Sequence, residues 1–225
     1  QFNAINAQFV EVELPFTVVA QSTQQASLSR FDYTFAGLIG FSIIGLGIFG
    51  PASVFPELKK QGILRRLHTT PLKVWQYFVS NVMSQGVIGL LAIAAMFIIS
   101  VIFFDLNMNG SYILFILFTL ISIFTIYGIG LALGGWAKNE RQAAPLSNLI
   151  AFPMIFLSGT FFPRYLMPEW LQGVSNYLPL TPVIDGVRLI VTEGKGFIDL
   201  MPQIGLLSIW AIVIYFIAFR VFRWE

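Results

Sequence analysis

The chain has 225 residues, of which 56% are apolar, 16% aromatic and 11% charged, and its mean hydropathy is +0.78. A soluble domain of this length does not tolerate so oily a composition, which places the chain in a bilayer. The net charge of +2 comes from basic residues flanking apolar runs, with no aromatic-interleaved groove for nucleic acid, and zero cysteines with one histidine, His68, argue against disulfides, thiolate chemistry and a histidine-based metal centre.

Residues 1–31 are polar, and Phe9 to Leu14 (FVEVEL) alternates as a strand would, although a disordered leader reads equally well from the same residues. Gln1 stands without an initiator methionine, a basic n-region or an early apolar run, so there is no signal peptide to read. The expectation is an extracellular or periplasmic segment following a first span that lies upstream.

Five apolar stretches then follow that are long enough to cross a hydrocarbon core, which takes about 20 helical residues. They are Tyr33 to Phe55, Val74 to Phe104, Tyr112 to Trp136, Ala144 to Phe162 and Leu200 to Phe222. A spanning segment must satisfy its own backbone hydrogen bonds, and the alternation of a membrane β-barrel is missing. The predicted fold class is therefore an all-α polytopic membrane protein, with a basic loop over 56–73 and short helices over 163–190. The second span opens on Gln76, Ser80, Asn81, Ser84 and Gln85, so its first turns lie at the interface or face other helices.

Lysine and arginine bias sets the orientation. One side carries Lys59, Lys60, Arg65, Arg66, Lys73, Lys138, Arg141, Arg220 and Arg223, the other Arg30, Arg164, Arg188 and Lys195. The first side is expected to be cytoplasmic, which puts the N-terminus of this chain outside and the C-terminus inside. Trp75, Trp136 and Trp224 fall at the same boundaries, where an indole keeps its ring in acyl chains and its N–H among headgroups.

Several local patterns carry less than they suggest. Gly45 to Gly50, GLGIFG, spells the dinucleotide fingerprint, but inside an apolar span it reads as helix packing through small residues. Gly130 and Gly134 form a GxxxG that serves packing within the chain in preference to a dimer seam. Asn109-Gly110-Ser111 is a glycosylation sequon that matters only in a eukaryotic source, and His68 reads as a loop surface residue.

Absences narrow the chemistry. No Asp, Glu, Lys or His lies in the interior of the five stretches, against the usual needs of ion-coupled transport. Ser158 has no histidine near it to act as base. No phosphate-binding loop is present, since Gly194-Lys195-Gly196 fails the spacing and the hydroxyl, so any ATP that drives this protein is bound by another chain.

The basic loop holds Lys59, Lys60, Arg65, Arg66 and Lys73, five of the chain's thirteen basic residues. Ile63, Leu64 and Leu67 share one helical face, Lys59 and Arg66 another, and Thr70-Pro71 makes an N-cap and first-turn proline for the next helix. Two readings stand at this point: a short amphipathic helix acting as a lever, or a positive anchor lying on anionic lipid.

The run Glu57-(x4)-Gly62-Ile63-Leu64-Arg65-Arg66-Leu67-(x2)-Thr70-Pro71 resembles the cytoplasmic loop of type-2 ABC exporter permeases, roughly E-x-x-x-G-x-L-x-R-L-x-x-(S/T)-P. Phe152 to Pro163 (FPMIFLSGTFFP), Met167-Pro168-Glu169-Trp170-Leu171, Leu178 to Pro182 and Asp185-Gly186-Val187-Arg188 resemble that family's penultimate span, its outward break and the external re-entrant helices before the last span. The resemblance covers Glu57 to Arg188 in the family's order. It implies family spans two to six here, a coupling role for the loop, and a second permease subunit as homo- or heterodimer partner. It also implies a pair of separate ATP-binding subunits that hold ATP and magnesium, this chain binding no cofactor and being no enzyme itself.

From the residues, Phe162-Pro163 ends a helix, Pro168 opens a short one, and Pro179 and Pro182 stop it before Asp185 to Ile190. Phe161, Phe162, Pro163, Trp170 and Leu171 are candidates for an outward gate, with interfacial anchoring by Trp170, Tyr165 and Tyr177 as the other reading. Asp185 and Arg188 are placed to form an ion pair. The expected function is outward movement of an amphiphilic or hydrophobic substrate across the plasma (inner) membrane. The alternatives are a non-transporting membrane anchor or receptor subunit and an uncoupled channel.

Overall fold

The computed structural model describes residues 30–63, 74–137 and 139–221, the side chains of residues 30, 32, 33, 74, 75, 77, 78 and 221 excepted. FVEVEL, His68 and Trp224 fall outside them. The described residues are helices and connecting turns, with no strand among them.

A rod opens the fold. Helix α1 (Arg30–Ile44) passes through a wide π turn (Gly45–Phe49) into α2 (Gly50–Lys60). The wide turn lies directly before Pro51, whose missing N–H and bulky ring would otherwise meet the carbonyl of Gly47; widening the helix moves that carbonyl aside. GLGIFG is thus helix interior.

The sequence reading ended this span at Phe55, but the helix continues through Pro56 to Lys60. Burial of Ala52, Phe55 and Pro56 against neighbouring helices offsets the hydrogen bond that Pro56 loses. Gly62, at φ +69°, ends it by entering the left-handed region that glycine takes without strain.

Helices α3 (Val74–Phe104) and α4 (Tyr112–Trp136) begin and end on the residues expected. Helix α5 (Glu140–Leu157) starts on the cap of Asn139, whose side chain accepts a bond from the Gln142 N–H, and ends earlier than Phe162. Gly159, at φ +81°, closes α5 before Pro163 is reached.

A short 3-10 turn (Arg164–Leu166) leads to α6 (Glu169–Asn176), α7 (Leu180–Val191) and α8 (Met201–Val221). Pro168 does open α6. Pro182, expected to stop a helix, instead sits in the first turn of α7, where its missing N–H would have had no intrahelical partner anyway.

Among the described residues, four stretches are long and apolar enough to cross a membrane: Thr34–Lys60, Val79–Phe104, Tyr112–Trp136 and Ile198–Arg220. Helix α5, where another span was expected, is not one of them, since Glu140, Arg141, Gln142, Ser147 and Asn148 occupy its first half.

Helix α4 is the axis of the bundle, packed on the rod, α3, α7 and α8. Two of its buried hydroxyls are satisfied within the helix: Ser122 Oγ donates to the Phe118 carbonyl at 2.8 Å and Thr125 Oγ1 to that of Ile121 at 2.9 Å. Its glycines set how close the rod can come. A Cβ at Gly134 would stand 2.6 Å from the Pro51 carbonyl oxygen, and one at Gly130 would stand 2.8 Å from that of Ile48 and closer still to that of Gly47. The GxxxG is therefore spent inside the chain, as expected.

Between hydrocarbon-embedded helices, close packing supplies much of the attraction that the hydrophobic effect supplies in water. Gly134→Val should separate α4 from the rod and destabilise the fold by about 1–3 kcal/mol. A lower melting temperature in detergent checks this, against little change for Gly205→Val, where an added Cβ meets open space.

Candidate functional site

The end of the rod carries the described part of the basic segment. The Gln61 N–H donates to the Glu57 carbonyl at 2.9 Å and the Gly62 N–H to that of Lys59 at 3.0 Å, so the chain turns sharply at Gly62 into half-buried Ile63. The Glu57 carboxylate accepts from Gln61 Nε2 at 2.9 Å and lies 3.8 Å from the exposed Lys60 ammonium. Leu64, Arg65, Arg66, Leu67, Thr70 and Pro71 lie outside the described residues.

Lys59 takes a different course. Its ammonium crosses to the C-terminus of α4 and donates to the carbonyls of Gly135 at 2.5 Å and Ala137 at 3.3 Å. Sequence reasoning counted Lys59 only as charge, because its partners lie far along the chain and carry no side-chain signal.

At the opposite end of the bundle, Ser158, Gly159 and Thr160 make the break after α5. Phe161 follows, exposed, with its ring 6.1 Å from Phe41 of the rod and 6.0 Å from Phe156 of α5. Phe162 and Trp170 are also exposed, Trp170 at 72%, but join no ring contact among the described residues. Pro163 and Leu171 are half-buried. The five gate candidates thus share one end of the molecule without forming a single cluster, and Phe41 and Phe156 are the partners that the sequence reading missed.

Behind them a polar lattice holds α6 and α7. Ser175 Oγ donates to the Leu157 carbonyl and Thr181 Oγ1 to that of Ser175, each at 2.6 Å. The expected pairing of Asp185 with Arg188 is present at 3.6 Å, but Arg164 makes the closer bond, 2.5 Å to Asp185, and also reaches Asn176 at 2.8 Å. One guanidinium thereby ties the turn after α5 to both following helices. Burial pushes the Asp185 carboxyl above the usual carboxylate range, while Arg164 and Arg188 pull it back.

An open groove of about 460 Å³ runs between α4, α5 and α8, lined almost wholly by apolar side chains including Leu149, Met154 and Ile214. The Trp210 indole, which also lines it, donates to the Tyr177 carbonyl at 2.9 Å. The described residues contain no cluster of three or more acidic or histidine side chains that could hold a metal.

Long apolar helices, a small-residue seam between them and a polar lattice at one end define a multi-pass helical membrane protein. Residues 6–192 match the ABC-2 type transporter family, to which the chain belongs. It is 24% identical over 186 residues to the linearmycin resistance permease protein LnrN of Bacillus subtilis, covering 82% of this chain and 48% of that protein. Similar likeness holds to the inner membrane transport permease YhhJ of Escherichia coli, at 26% over 163 residues, 72% of this chain and 44% of that one. The probable multidrug ABC transporter permease YbhR of the same organism matches at 26% over 171 residues, 76% and 45%. The chain spans about half the length of these three relatives.

Arg164→Ala severs two bonds at once and should destabilise the protein by about 1–3 kcal/mol. Without Arg164, Asp185 rises further. A group raised on folding contributes stability that is present below its unfolded pKa and lost as pH rises through the folded one. The deficit of Arg164→Ala, followed by melting temperature, should therefore shrink on acidification and widen as Asp185 ionises.

Proposed function

We infer that this chain is the transmembrane permease part of an ATP-driven ABC exporter that moves an amphiphilic or hydrophobic substrate outward. The observation that carries the reading is the family match over most of the chain, joined to the Glu57-to-Pro71 motif at the end of the rod. ATP and magnesium belong to separate ATP-binding subunits docked under residues 56–73, and a second permease subunit completes the pathway. ATP binding draws the motor subunits together, and the loop passes that motion to the rod and α3, the helices it joins.

In this reading α5 is the fifth span. Its 18 residues rise about 27 Å, close to the roughly 30 Å of a hydrocarbon core, with the charged first turn in the interface. Helices α6 and α7 are then re-entrant elements at the outer face, where broken helices rest safely against protein. The basic side faces the cytoplasm of a cell bounded by the plasma membrane, with the N-terminal part of the chain outside and the C-terminus inside.

The substrate class draws support from the exposed Phe41–Phe161–Phe156 group and the apolar groove, and from relatives named for linearmycin resistance and multidrug transport. Polar or inorganic cargo finds no match in such surfaces.

In the full-length permease reconstituted with its ATP-binding partner, Arg66→Glu and Gly62→Pro should leave ATP hydrolysis in place while outward movement of a fluorescent amphiphile is lost. Proline cannot adopt the φ of +69° that Gly62 holds, so the second variant must redirect the loop. Parental coupling in both variants sinks the lever. A complex that shows no ATP hydrolysis in any form returns the protein to the anchor or channel readings.

A further inference from the structure

The geometry points to Lys59 as a positioning residue: its ammonium joins the exit of the rod to the α4–α5 junction, so that both move as one body when the adjoining loop is displaced. The inference rests on the coupling reading of residues 56–73 and names the contact through which that coupling leaves the loop.

The last carbonyls of a helix lack intrahelical partners and form its negative end, so a cation is favoured there. No basic residue lies in the last turn of α4. Lys59 provides the cation from another helix, 76 positions away in sequence. Ala137, the residue after the helix, has extended backbone, which turns its carbonyl out of the helical row.

Neighbouring groups leave Lys59 to this task. Lys60 points outward and pairs with Glu57, which also takes Gln61, and no carboxylate among the described residues pairs with Lys59. The contact also extends an existing seam. Gly130 packs on the Gly47 carbonyl and Gly134 on that of Pro51, so Lys59 adds a bond between the same two helices at the end nearest the loop.

Beyond Ala137 the chain turns directly into α5 on the Asn139 cap. Any displacement of the rod's end therefore enters α5, whose far end carries Phe156. A side chain that merely neutralised the interface would bind lipid phosphate equally well and would link nothing.

The test uses the full-length permease in nanodiscs with the ATP-binding subunit that copurifies with it. This chain contains no cysteine, so spin labels at the exposed positions Lys60→Cys and Arg141→Cys, with any cysteine elsewhere in the protein replaced by serine, report one distance. In the parent that distance should give a single narrow peak that is the same without nucleotide and with ATP and vanadate. Lys59→Met keeps the stem and removes the donor, and should lose the narrow peak; Lys59→Arg, which can still fork onto two carbonyls, should restore it.

An unchanged narrow peak in Lys59→Met overturns the inference. So does a parental distance that shifts with nucleotide, because the two ends then do not move together. A complex that hydrolyses no ATP removes the coupling reading by itself, and the nucleotide-free comparison of the parent with Lys59→Met still decides whether Lys59 holds the two ends.

Discussion

Everything in this fold depends on how closely the first rod approaches α4. In hydrocarbon the side chains of two helices gain little from leaving lipid for each other, because acyl chains solvate leucine as well as leucine does. What remains is contact at short range, and only backbone without side chains gets short enough. Gly47, Gly130 and Gly134 supply that backbone. The widened turn before Pro51 belongs to the same device, since it turns the carbonyl that a proline leaves without its donor toward the glycine face of α4. Once α4 is seated, α8 can lie along it, with the Tyr215 hydroxyl donating to the Phe124 carbonyl at 2.9 Å.

The sequence disclosed the helices whose ends are set by water and was less explicit about those whose ends are set by neighbours. Helix α3 stops where Asp105 enters the left-handed region, and α4 starts after the polar stretch around Asn109; both limits are local and both were legible. The first span was ended at Phe55, just before Pro56, and Pro163 was taken as a stop. Pro56 is carried inside a helix because its ring is buried against other helices, and Pro163 is preempted by Gly159. Proline says that a hydrogen bond is missing. Whether the helix ends there is decided by what packs around it.

The polar contacts divide in the same way. Asp185 with Arg188 could be read from a three-residue spacing on one helix. Arg164 with Asp185 joins residues 21 apart and Lys59 with Gly135 residues 76 apart, so no periodicity announces them. Carbonyl partners are a further obstacle, since every residue has one and none is marked in the sequence. The gate candidates show the reverse case: Phe161, Phe162 and Trp170 were conspicuous as aromatics at a break, yet the ring contacts that Phe161 makes are with Phe41, interior to another predicted span, and with Phe156, a turn and more back in its own.

Helix α5 is the element that runs between the two held ends of the bundle. It is entered just beyond the α4 carbonyls that Lys59 holds, and it ends at Leu157, whose carbonyl accepts the Ser175 hydroxyl. Both ends are thus held by a side chain reaching a main-chain oxygen from another element. Between them Pro145 and Pro153 each remove a rung of the helical ladder, and Leu149, Phe152 and Phe156 stand exposed. The buried hydroxyls of Ser158 and Thr160 at the break have no hydrogen-bond partner among the described residues, so the side-chain bonds that hold this turn are those of Arg164 and Ser175. In the coupling reading proposed above, a helix pinned at its ends, weakened in its middle and joined at one end to the rod would convert a small displacement at Lys59 into a change of bend. The side chains that such a bend carries are those beside the apolar groove and the aromatic group at the far end.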